Sequence, residues 1–208
     1  METRIVEFTK LLNCIEDEVS NVRIEHADSR IQLASTLYTV VIDHAQGIRF
    51  LIENRSYPSA FALLRVIFET YIRASWFEHC ATNEQIESFV SKDEIMNSDK
   101  RSINFGQLVS DVDAALGTDS YFSQVKKGTW KGLNSLTHSG LQQAIRCFDG
   151  KSITYNYSPF QINEALEFVS MLVGIASGSL IDLSNVVDSQ QRIVKITNLA
   201  NQLIIDRT

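Results

Sequence analysis

Pro58–Cys80 reads PSAFALLRVIFETYIRASWFEHC, and between Ala60 and Phe77 its only charged residues are Arg65, Glu69 and Arg73. Their i, i+4, i+8 spacing puts them on an arc of roughly 80° along one side of a helix. The opposite side, with Leu63, Ile67, Tyr71 and Ala74, is no more polar. A helix that is apolar nearly all round is normally buried. Its charges are therefore expected to be paired, or held ready for something charged. Two arginines against one glutamate leave one positive charge over.

The stretches on either side also read as helices. Upstream, Ile5, Phe8, Leu11, Leu12, Ile15 and Val19 recur at helical spacing from Glu2 to Asn21, and a second repeat runs from Asp28 to Asn54. Within that second repeat His44 reads as a core or boundary histidine. Ser56 and Pro58 suit the start of the buried helix. Downstream, Thr82-Asn-Glu-Gln85 has capping-box spacing and predicts a helix from there to Met96. A polar loop follows over residues 97–106, then a helix from Phe105 to Leu116 closed by Gly117. Tyr121–Ser135 is ambiguous, because Gly128 and Gly132 weaken a helix while Trp130 and Leu133 ask for burial. A further helix is predicted over His138–Phe148. Lys151–Tyr157 alternates like a short extended segment, Phe160–Val187 predicts a long helix, and Gln190–Ile205 closes the chain. The expectation is a single all-α domain over residues 1–208, a bundle of six to eight helices.

Composition narrows the function classes. The 208 residues include only 2 prolines and 9 glycines, which favours long helices over turn-rich β structure. A net charge of −6 argues against polyanion binding over the whole surface but leaves room for a local basic site. Cys14, Cys80 and Cys147 lie far apart in no metal-binding spacing, so reduced thiols are expected. The stretch METRIVEFTKLLNCIEDEV carries acidic residues inside its apolar repeat, unlike a targeting leader. Phe160–Leu183, the most apolar run, is interrupted by Asn163, Glu164, Glu167 and Asp182. A soluble, cytoplasmic protein with no cofactor, metal or membrane partner is expected. No GxSxG, Walker or dinucleotide glycine motif is present.

A second chemically dense stretch is Lys126-Lys127-Gly-Thr-Trp130-Lys131-Gly-Leu-Asn134-Ser135-Leu-Thr137-His138-Ser139-Gly140. Asn134 and His138 are four apart and share a helical face. A neutral imidazole there could act as a general base, and the lysines could bind phosphate. Asn134, Thr137 and His138 could equally satisfy one another at a helix junction. If this stretch faces the buried helix, Arg65, Arg73 and His138 converge on one polar cavity.

Together the patterns Leu64-Arg65-x2-Phe68-Glu69-x-Tyr71-x-Arg73-x2-Trp76 and Trp130-x3-Asn134-Ser135-x-Thr137-His138-x-Gly140 resemble a group of uncharacterised bacterial helical proteins, over residues 35–185. More distantly, Asn134-x3-His138 resembles the second half of the Arg-Asn-x3-His signature of HEPN domains. That resemblance implies a commonly dimeric helical bundle of toxin or antiviral systems, with a partner protein of such a system. It also implies metal-independent RNA cleavage through attack by a ribose 2′-hydroxyl. Leu133 stands where the HEPN pattern has arginine, and Lys131, Arg65 and Arg73 are the cations that could stand in for it. The candidate catalytic residues are His138, Asn134 and Arg73, with Arg65, Glu69, Lys131 and Thr137 as candidate ligand-binding residues. The ligand class is RNA or a nucleotide, and if the protein is an enzyme it is an endoribonuclease. The alternative is a non-catalytic interaction or antitoxin-like module in which the same residues form a buried structural network.

Overall fold

The computed structural model of the chain describes residues 2–25, 28–97, 99, 101–184 and 186–205. It is all-α. Among the described residues the elements are α1 (Glu2–Val19), α2 (Ser29–Glu53), α3 (Tyr57–His79), α4 (Asn83–Lys92), α5 (Phe105–Leu116), α6 (Tyr121–Thr137), the single turn α7 (Leu141–Ala144), a 3₁₀ turn Ile145–Cys147, α8 (Pro159–Leu183) and α9 (Ser189–Ile205). Buried side chains from every helix except α7 form one continuous core.

α3 sits at the centre of the bundle and packs against α2, α5, α6 and α8. Pro58 lies in its first turn, where a missing N–H costs nothing. Ser56 holds the cap position, but its side chain makes no capping bond. Ile67, Phe68, Ile72, Ala74 and Phe77 are fully buried. Arg65, Glu69 and Arg73 are half-buried, so their stripe runs along the edge of the buried surface rather than through it.

Local signals set most of the other helix ends. Thr82 and Gln85 form the capping box that starts α4, and Ser158 with Gln161 forms a second that starts α8. α4 stops at Lys92 rather than Met96 because Asp93 turns left-handed, with φ 57°. Gly117 ends α5 in the same conformation, with φ 63°. The predicted His138–Phe148 helix is instead a turn at His138 and Ser139, then α7 and the 3₁₀ turn. The alternation at Lys151–Tyr157 yields only an isolated bridge between Phe148 and Ile153. Ser98 and Lys100 of the predicted loop, and Asn185 near the predicted end of α8, lie outside the described residues.

By length and composition α8 is apolar enough to cross a membrane, yet 56% of its most apolar window is buried inside the bundle. Such burial is compatible with a core helix of a soluble protein. Gly174 brings α8 close to α9, since a Cβ there would meet that of Ala200 at 3.2 Å. All three cysteines are free.

Candidate functional site

α6 carries the second dense stretch and lies along α3. It begins at a cap supplied by another helix. The Asp113 carboxylate, on α5, accepts from the Phe122 and Ser123 backbone N–H groups at 2.9 and 2.8 Å and from the Thr118 hydroxyl. Burial acts to raise the Asp113 pKa. The bonds from Thr118, Ser123 and Phe122 outweigh it and hold the carboxyl below its usual range. The N-terminal residue Ser120 makes no cap bond of its own. Burial of Phe122, Leu133 and Leu136 then carries the helix through Gly128 and Gly132, where an added Cβ would meet nothing within 4 Å.

The far end of α6 accounts for much of the Asn-Ser-x-Thr-His-x-Gly pattern as local architecture. Thr137 donates to the Ala62 carbonyl at 3.0 Å and ties α6 to α3. Ser135 accepts the Gln142 N–H at 2.9 Å and starts α7. Gly140 crosses Ser135 so closely that a Cβ would lie 2.5 Å from its hydroxyl and 3.0 Å from its Cα. That leaves Asn134 and His138. The Asn134 Oδ1 is buried with no hydrogen-bond partner. His138 is exposed and caps the helix, its backbone N–H bonded to Asn134.

The His138 imidazole meets Arg65, with Arg65 Nη1 in contact with His138 Nε2. A guanidinium has no lone pair to offer, so a hydrogen bond between them is donated by Arg65 and accepted by Nε2. Arg65 also donates to Glu69 Oε1 from Nη2 at 2.9 Å and from Nε at 3.2 Å. Its guanidinium carbon lies 4.9 Å from the centre of the Trp130 ring. Lys126 Nζ lies 5.6 Å from the same ring, which stacks on Phe105 at 4.6 Å. Cations held against an indole face gain on the order of 1 kcal/mol each.

The structure thus brings Arg65, Glu69 and His138 together, with Asn134 and Thr137 in the turns behind them. It does not bring Arg73 to them. Arg73 lies two turns along α3, half-buried, and makes no hydrogen bond or ion pair among the described residues. Glu69 serves Arg65 alone. Lys131 is exposed, also without an ion pair among the described residues. The Thr137 hydroxyl is already committed to Ala62. Lys126 and Phe105 complete the cluster: the four-residue spacing from Lys126 to Trp130 hints at the first contact, whereas only the tertiary fold reveals the Phe105 stack. The cluster forms a half-exposed face, and Arg73 does not join Arg65 and His138 in the one polar cavity expected of the three. No group of three metal-ligating side chains occurs among the described residues.

A family model matches residues 38–203. The chain belongs to the family of unknown function DUF6988. The DUF6988 match begins within α2 and ends within α9, so every candidate site residue falls inside it. α1 precedes it. No curated protein and no solved structure matches the chain.

Proposed function

We propose that the α3–α6 face binds the phosphodiester backbone of RNA and that His138 supports metal-independent cleavage there, as in the HEPN domains its Asn134-x3-His138 spacing resembles. The observation carrying this reading is that Arg65 and His138 touch, with Lys126 beside them and Glu69 as the single carboxylate in the cluster. α6 contains three lysines and no acidic residue, in a chain whose net charge is −6. Lys127 and Lys131 extend this positive surface along the helix toward His138, about 16 Å from Lys127, longer than a lone phosphate needs, which favours a strand over a mononucleotide.

RNA carries its own nucleophile, the ribose 2′-hydroxyl. With a phosphate bound, Arg65 turns to it and frees His138 Nε2 to take the hydroxyl proton as the 2′-oxygen attacks phosphorus. The departing 5′-oxygen then takes a proton from the imidazolium or from water. Arg65 and Lys126 stabilise charge on the non-bridging oxygens, a contribution of about 10²- to 10³-fold per donor.

One observation favours the second reading, a structural network in a non-catalytic module. Every nitrogen of the Arg65 guanidinium already has a protein partner, and its face has Trp130. RNA cleavage and binding by the purified protein, with His138→Ala and Lys131→Ala beside it, decide between them. The proposal expects His138→Ala to bind RNA but lose cleavage. It expects binding carried by four contacts to weaken about 50-fold between 50 and 200 mM salt. Salt-independent binding, or unchanged cleavage in His138→Ala, leaves the structural network as the answer.

The same reading includes a homodimer and a partner protein of a toxin or defence system. Leu141, Ile145, Phe148, Ile153, Tyr155 and Phe160, in the residues following His138, are exposed apolar side chains that suit a second copy. Sedimentation of wild type against Phe148→Asp tests this, and a monomeric wild type refutes it.

A further inference from the structure

A cavity of about 470 Å³ lies between α3, α6 and α8. Its walls include Phe61, Leu64, Leu133, Leu136, Phe168 and Met171. This size and lining suit a small organic molecule. One cation borders it: Arg146, from the 3₁₀ turn after α7.

The surroundings of Arg146 are incomplete. Nη1 is used by the Gln142 backbone carbonyl and side-chain oxygen. Nε is buried with no partner, and Arg146 makes no ion pair among the described residues. The Tyr157 hydroxyl is likewise buried without a partner. Burial pushes that phenol up to about 12, with Cys147 adding to the rise and Arg146 opposing it, so the guanidinium charge is felt there. Tyr157 packs against Phe61 of the cavity wall, with ring centres 4.7 Å apart. A half-buried guanidinium that makes no ion pair with the carboxylates bordering the same cavity gains from a ligand anion at its unused nitrogen.

We propose that this cavity binds a monocarboxylate with an apolar body, its carboxylate on the Arg146 Nη2 that Gln142 leaves unused. A carboxylate accepts charge-assisted hydrogen bonds from that nitrogen. A dianion such as a phosphate monoester fits less well, because Glu164 and Glu167 also border the cavity. Glu164 is exposed, and Glu167 lies 3.8 Å from Arg4. This site is independent of the RNA proposal, since none of the residues in the Arg65–His138 cluster lines it.

Isothermal titration of the full chain with octanoate, 1-octanol and octylamine tests the assignment. Octanoate is expected to bind at least tenfold more tightly than either of the other two. Arg146→Gln should weaken octanoate by about 10- to 100-fold, the worth of a hydrogen bond to a charged group. It should leave octanol unchanged. Ala165→Phe, which fills the cavity, should abolish binding of all three. Equal affinity for the three head groups, preference for the amine, no octanoate binding at millimolar concentration, or full affinity in a folded Arg146→Gln overturns the proposal. The head-group comparison needs only the wild-type chain, so it tests the proposal even if a variant fails to fold.

Discussion

Replacing Asp113 by asparagine is expected to be the most damaging one-atom change near the candidate site, although Asp113 touches none of its residues. Its carboxylate is only 6% exposed as a residue and holds two backbone N–H groups at the start of α6 and the Thr118 hydroxyl. Asparagine keeps the shape but has one acceptor oxygen, so at least one buried donor loses its partner. Hydrogen bonds to charged groups contribute about 1.5 to 3 kcal/mol each, and a negative charge at a helix N-terminus adds about 0.3 to 1. We expect Asp113→Asn to lose about 3 kcal/mol, a melting point lower by about 6 to 12 °C for a chain of this size. Urea unfolding followed by circular dichroism, with an unchanged m-value, reads the difference directly.

The loss should also depend on pH. Because the folded pKa of Asp113 lies below the unfolded one, its stabilisation is complete above the unfolded value of about 3.9. It disappears as pH falls through the folded value. The gap between wild type and variant should therefore be constant near neutrality and close below about pH 4. A loss under about 1 kcal/mol at pH 7, or a gap that persists in acid, refutes the capping argument.

Other substitutions probe the rest of the molecule. Gly128→Ala and Gly132→Ala should each stabilise α6 by about 0.5 to 1 kcal/mol, because an added Cβ meets nothing there; a lower melting temperature in either contradicts the packing. Gly140→Ala should destabilise by about 1 to 3 kcal/mol through its collision with Ser135, visible as a shift of the urea midpoint. Arg65→Ala should cost more stability than Arg73→Ala, since Glu69 pairs with Arg65 and not with Arg73; equal melting temperatures for the two variants rule this out. Burial holds the His44 imidazole below its usual pKa, with Asp43 opposing, so protonating it costs folding energy and stability falls as pH drops through that range. His44→Gln should be less acid-sensitive near pH 6 than wild type in the same unfolding assay.

What is legible in the sequence depends on the range of the interactions. Helix positions follow from apolar spacing, and α4 is signalled by its own capping box, because a capping bond joins residues three apart. The α6 region is ambiguous in sequence for the opposite reason: its cap, Asp113, comes from another helix, and its glycines are tolerated only because Trp130, Leu133 and Leu136 pack elsewhere. His138–Phe148 breaks its helical periodicity because Gly140 must pass close over Ser135, a contact no spacing pattern encodes.

The sequence by itself determined an all-α bundle built on α3, a stripe of Arg65, Glu69 and Arg73 on that helix, three lysines with no acidic residue along α6, and the chemical groups available there. Tertiary structure decided which of those groups meet. Arg65, not Arg73, reaches His138, since α6 runs antiparallel along α3 and its His138 end meets the Ala62–Arg65 turn, two turns of helix before Arg73. It also decided that the cluster is half-exposed, and that a separate cavity opens between α3, α6 and α8 with Arg146 at its edge. The physical reason is that helical periodicity fixes the face on which a side chain emerges, whereas its partners depend on how the helices pack.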